Sequence, residues 1–110
     1  MTWTPEVDAP TELSGVLLRY ATILVMEGVD RPTTVGEIVE AIEGFGVAVP
    51  ERKGKWVSDA LRCEQRKGRV RRVGRNQYIG GLALSDRTRR RATRAIITAR
   101  TTGVGNLGLG

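Results

Sequence analysis

From Thr11 onward the apolar residues recur at three- and four-residue steps. Leu13, Val16, Leu17, Tyr20, Ala21, Leu24 and Val25 fall on one side of a helix by that spacing. It predicts a first helix over 11–27, started by Pro10 or Thr11 and stopped by Gly28, which tolerates the left-handed conformation at a helix end. Val29-Asp30-Arg31-Pro32 reads as a turn, because proline lacks an N–H and holds its predecessor extended. Thr34-Val35-Gly36-Glu37 then has the spacing of a capping box, in which the threonine oxygen takes the amide three residues on and the glutamate reaches back. Val35, Ile38, Val39 and Ile42 continue with helical spacing and Phe45 closes the apolar set. Gly44 and Gly46 end this second helix at about 35–44.

Val47 to Gly54 reads as a polar connection with at most one short irregular turn. Trp56, Val57, Ala60 and Leu61 resume the helical period and Gly68 supplies a stop, which predicts a third helix over 53–67. Arg69-Val70-Arg71-Arg72-Val73 and Gln77-Tyr78-Ile79 are short β-prone runs around Gly74-Arg75-Asn76. Gly and Asn both accept positive φ, so the segment reads as a hairpin with a three-residue loop. Beyond Gly80-Gly81, Ser85 is placed to cap a fourth helix from 86 to about 100, with Ala92, Ala95, Ile96 and Ala99 on one face and arginines around the rest. That stripe is thin, and folding of this helix only on contact with a partner is one expectation.

The expected organisation is a lead-in over 1–10, one domain over 11–80, a basic, helical C-terminal extension over 81–100 and a flexible glycine-rich tail over 101–110. The expected fold class is mainly α with a small β-hairpin. A length of 110 residues suits one core, and an apolar share of 40% with five aromatics (Trp3, Tyr20, Phe45, Trp56, Tyr78) points to an aliphatic helical interior.

Charge changes this picture more than composition does. Residues 1–50 carry a net −6 and residues 51–110 a net +12, so the overall +6 conceals two regions of opposite sign. A protein that needed solubility alone would intersperse its charges, whereas a one-sided cationic surface is the footprint of a polyanion binder. Cys63 is the single cysteine, so an intrachain disulfide and a thiolate metal site are both excluded and a cytosolic setting is expected. The longest apolar stretch, Ala21 to Met26, is broken by a threonine and far too short for a bilayer span, so no membrane partner is expected. There is no histidine, which removes the commonest general base and every histidine-dependent triad or metal site. With no phosphate-loop motif either, an enzyme is not expected, nor is a cofactor or bound metal.

The run Lys55-Trp56-Val57-Ser58-Asp59-Ala60-Leu61-Arg62, followed by Gly68 and the arginine-rich hairpin Arg69 to Tyr78, resembles the recognition helix and wing of bacterial winged-helix regulators. The resemblance covers about residues 11–80 and implies a winged helix, a three-helix core with a two-stranded wing, that binds double-stranded DNA in the cytoplasm, at the nucleoid, and regulates transcription. One position departs from it: residue 64, apolar in that pattern, is Glu here. Either the helix is rotated, or Glu64 sits at the core margin with an arginine partner.

The residues support a division of roles independently of the resemblance. If Val57, Ala60, Leu61 and in one reading Trp56 face the core, then Lys55, Ser58, Asp59, Arg62, Gln65 and Arg66 lie on faces free to enter a major groove. Arg62 and Arg66 have the bidentate geometry for guanine, Lys53 and Lys55 suit phosphate, and Asp59 accepts from cytosine N4 or holds Arg62 in place. Arg71, Arg72 and Arg75 on the narrow ribbon reach a minor groove or the flanking backbone, while Tyr78 closes the ribbon against the core. The segment around Arg89 and Arg90 has three open readings: a DNA-contacting extension without sequence preference, a homodimer contact, shared in that role with helix 1, or an amphipathic element on an anionic membrane. Binding of the same surface to bulk DNA or RNA without sequence choice, or to an acidic protein, are the competing functions.

Overall fold

The computed structural model describes residues 10–104. Residues 1–9 of the expected lead-in and 105–110 of the expected flexible tail lie outside the described residues. Among the described residues the elements run β1 (Thr11–Glu12), α1 (Gly15–Met26), β2 (Thr33–Thr34), α2 (Val35–Glu43), β3 (Val47–Ala48), α3 (Lys53–Arg66), β4 (Val70–Gly74), β5 (Gln77–Gly80) and α4 (Asp86–Thr102). They form an α-rich fold of four helices with a small three-stranded antiparallel sheet in the order β2-β5-β4 and a separate parallel pair, β1-β3.

Strong local signals produce the expected helix ends. Thr34 accepts from the Glu37 amide at 3.2 Å while Glu37 Oε1 accepts from the Thr34 amide at 2.9 Å, completing the capping box of α2. Ser85 Oγ accepts from the Thr88 amide at 3.1 Å and caps α4. Gly28 and Gly68 take positive φ just beyond α1 and α3.

Three expectations are corrected. The first helix begins at Gly15, not at Pro10 or Thr11, because Gly15 has φ +57° and Ser14 before it is extended. Leu13, which fits the helical stripe by spacing, is instead buried from an extended segment whose amide donates to the Ala48 carbonyl at 2.9 Å. The expected polar connection 47–54 contributes β3, paired in parallel with β1 through Thr11↔Val47 and Glu12↔Ala48, and ends in Lys53–Gly54 as the first residues of α3. The hairpin is not two-stranded and its loop is not three residues long. Gly74 pairs with Gln77, so Arg75-Asn76 form a two-residue loop with Asn76 at φ 59°, Val73 bulges, and β2 joins the other edge of β5 through Thr33↔Tyr78 and Thr34↔Gln77.

The main core gathers Leu17, Leu18, Ala21 and Met26 of α1, Ile38 and Ile42 of α2, Val57, Ala60 and Leu61 of α3 and Val70 of β4, with Tyr78 partly buried at its edge. A second, smaller cluster of Ile23, Leu84 and Ala92 joins α4 to α1, flanked by Tyr20 and Leu24. The thin stripe of α4 therefore suffices to dock the helix: alanines at 92 and 99 allow close approach to α1, and Ile96 enters the main core.

Glu64 resolves the two readings left open by its position, since it lies at 2% exposure inside the α3 packing face with an arginine partner. Arg69 Nη1 donates to its Oε1 at 3.0 Å and Lys67 Nζ stands 3.9 Å from its Oε2. Taking one partner from a buried pair leaves an uncompensated charge, whereas replacing the carboxylate with apolar volume removes the desolvation cost. Arg69→Ala is therefore expected to lower the unfolding free energy by about 3 kcal/mol, and Glu64→Leu to leave it unchanged or raise it. Urea denaturation of both variants tests this, and a larger loss for Glu64→Leu than for Arg69→Ala would refute it.

Candidate nucleic-acid interface

The packing of α3 decides which of its side chains face outward. With Val57, Ala60, Leu61 and Glu64 buried, the helical step carries Lys55, Asp59, Arg62 and Arg66 to the opposite side in one stripe about 16 Å long. Lys55, Arg62, Gln65 and Arg66 are exposed, and Asp59 and, at the margin of the stripe, Ser58 are half-buried. Asp59 sits within it and holds two cations, Lys55 Nζ at 3.3 Å and Arg62 Nη1 at 3.3 Å. Arg66 has no ion-pair partner among the described residues. Lys53, expected at phosphate, donates to Glu43 of α2 at 2.6 Å. These pairs lie in water, where an ion pair contributes no more than about 1 kcal/mol, so an arriving phosphate can displace them.

The ribbon continues from the end of this helix through the Glu64–Arg69 pair. Arg71, Arg72 and Arg75 are all exposed on it, with Arg75 in the two-residue tip and Arg72 Nε donating to the Gly74 carbonyl at 3.3 Å. The structure thus brings the expected α3 residues and the expected ribbon residues onto neighbouring elements.

One residue absent from the expected set belongs to this surface. Trp56 is 39% exposed, its indole N–H donates to the Glu51 carbonyl at 3.0 Å, and Lys55 Nζ lies 4.9 Å from its ring centre. Helical periodicity placed it near the core because it neighbours Val57. The chain reaches α3 through Arg52 in the left-handed conformation (φ 67°), and one helical step of about 100° from the buried Val57 sets Trp56 on the flank of the helix, its indole over that turn.

The two expected contacts on α4 separate. Arg90 is exposed, but Arg89 folds back onto α1, donating from Nε to both carboxylate oxygens of Glu27 at 3.0 Å and from Nη1 to Asp86 at 2.9 Å. Arg89 is therefore part of the α1–α4 packing. Its guanidinium, by hydrogen bond first and charge second, holds the Glu27 carboxyl below the usual range against the opposing effect of burial, and the arginine's own pKa is raised in return.

Among the described residues there is no group of histidine, cysteine, aspartate and glutamate fit to hold a metal, and no helix is long and apolar enough to cross a membrane. No family model matches the chain, and no curated protein or solved structure does.

Because the Glu27 pKa is depressed in the folded state, the stabilisation from its charged form is complete above the unfolded-state value and is lost as pH falls through the folded one. Glu27→Gln is accordingly expected to be less stable than the parent at neutral pH, with the gap between the two thermal midpoints starting to close only as the pH falls below the ordinary glutamate value of about 4.3. Melting curves taken between neutral and strongly acidic pH check this; a gap that does not change with pH would contradict it.

Proposed function

We propose that the chain is a winged-helix DNA-binding protein of the transcription-regulator type, with α3 as the reading helix and the β4–β5 ribbon as the wing. The observation that carries this reading is the outward stripe of α3, with Lys55, Arg62 and Arg66 standing opposite the buried Val57, Leu61 and Glu64 and continued by Arg71, Arg72 and Arg75 on the adjoining ribbon. Apart from the added parallel pair β1-β3 and the C-terminal α4, the order α1, β2, α2, α3, β4, β5, with β2 paired to the second ribbon strand, supports it, being the connectivity of that fold. An α-helix fits the major groove of B-DNA, arginine takes guanine O6 and N7 in bidentate fashion, and a narrow cationic ribbon fits phosphate or the minor groove. The acidic residues Glu37 and Glu40 of α2 keep that side away from phosphate and orient the approach. A nucleoid setting in the cytoplasm follows from this function.

Bulk binding without sequence choice is the second reading, and the exposed arginines of α4 favour it, since they add charge that reads no base. Selection of bound duplexes from a random pool separates the two. On the first reading a consensus emerges, and Arg62→Ala and Arg66→Ala each relax discrimination at one or two of its positions by about 1–3 kcal/mol. Arg75→Ala lowers affinity for all sequences alike and reduces the salt slope by about one. A pool that yields no consensus favours the second reading, and no duplex binding at any salt concentration defeats both.

A further inference from the structure

The arginines of α4 divide into two sets. Arg89 is bound to Glu27, and Arg100 donates to the Phe45 carbonyl at 2.8 Å, so both serve packing. Arg87, Arg90, Arg91 and Arg94 are exposed and have no ion-pair partner among the described residues. They lie on the side of the helix opposite the buried Ala92, Ile96 and Ala99, within two turns, roughly 10 Å along the axis. The acid of this helix, Asp86, is already engaged by Arg89. Four uncompensated cations at this density repel one another, and a run of phosphates is their fitting counterpart.

The position of α4 decides which phosphates those are. On α1, Leu18, Ala21 and Met26 belong to the core shared with α2 and α3, which Ile96 and Ala99 of α4 also join, whereas Ile23 packs on Leu84 and Ala92, Tyr20 and Leu24 border both clusters, and Glu27 takes Arg89. By the helical step these two sets fall on opposite sides of α1, and α3 and α4 have no extensive contact with each other. Each stripe lies on the side of its helix opposite the residues that pack into the core, so the two are presented in different directions. Duplex DNA is stiff over about 150 base pairs, so a duplex seated on α3 does not curl round to the far side. We infer that α4 is a second DNA surface, which takes the backbone of a separate duplex through Arg87, Arg90, Arg91 and Arg94, so that one molecule bridges two duplexes. The inference rests on the proposed DNA binding by α3.

The test uses the full chain with a biotinylated duplex on beads and a second, fluorescent duplex in solution at about 0.1 M salt. Single-duplex affinity is measured in parallel by anisotropy, and the molecular mass by sedimentation. Expected is capture of the fluorescent duplex by a monomeric protein. Arg90→Ala/Arg91→Ala/Arg94→Ala then lowers capture about tenfold or more and changes single-duplex affinity less than about threefold, with an unaltered circular dichroism spectrum. Single-duplex binding without capture overturns the inference and leaves the α3 reading standing. So does capture that survives the triple substitution, an equal loss of both activities, which makes α4 part of one footprint, or capture that requires a dimer. Absence of any duplex binding removes the α3 reading itself.

Discussion

The sequence of α1 leaves it almost no side that water can occupy. Of its twelve residues only Arg19 is charged, and the one buried hydroxyl, on Thr22, is satisfied by donating to the Leu18 carbonyl at 2.8 Å. A helix apolar nearly all round is stable only when covered on more than one side. Here α2 and α3 cover one side and α4 the other, and the last is held in register by Ile23 against Ala92 and by Arg89 against Glu27. The placement of both cationic helices therefore follows from the need to bury α1. Helix α4 cannot be treated as an appendage, since removing it would expose Ile23 and leave Glu27 without its main cation.

A second constraint fixes the ribbon. A side chain at Gly80 would bring its Cβ to 2.4 Å from the Met26 carbonyl, and one at Gly81 to 2.2 Å from that of Gly68. Backbone cannot yield as a flexible side chain can, so these two glycines are what allow β5 to pass between the ends of α1 and α3. The Gly80 amide donates to Val29 at 2.8 Å and the Leu82 amide to Gly68 at 2.8 Å. With the buried Glu64–Arg69 pair at the other strand, the base of the ribbon is tied to both helices while its tip, Arg75-Asn76, stays in water.

Much of this was legible because the controlling interactions are local. The box of Thr34 and Glu37, the cap at Ser85 and the stop at Gly68 each act within four residues, and the outward face of α3 follows from its apolar period. What escaped depends on distant partners. The strands β1, β2 and β3 are two residues each, too short for an alternation to register, and exist because their partners lie 36 to 45 positions away. Leu13 fits a helical stripe and a buried extended segment equally well, and only the positive φ of Gly15 separates them. Arg89 looks like Arg90 in the sequence; the difference between them is Glu27, 62 residues earlier. The exposure of Trp56 was hard to read because it sits on the flank of α3, about 100° from Val57, where an aromatic fits the core edge or the surface equally well.

The two cationic stripes also differ in a way that bears on what each reads. Within the α3 stripe Asp59 stands among Lys55, Arg62 and Arg66, whereas the α4 stripe contains no acid. A carboxylate in a surface meant only for phosphate lowers affinity at every sequence, because it repels the backbone and competes for the cations. In a surface meant for base edges it has a use, since it accepts from cytosine N4 and fixes the direction of Arg62 before contact, reducing the freedom lost on binding. On the proposed DNA-binding reading, the acid would fit α3 as the discriminating element and its absence would fit α4 as the one that grips any duplex. The two helices differ in arginine count as well, two on α3 against six on α4, but number alone sets only the strength of the grip; the aspartate within the α3 stripe is what gives that face a pattern.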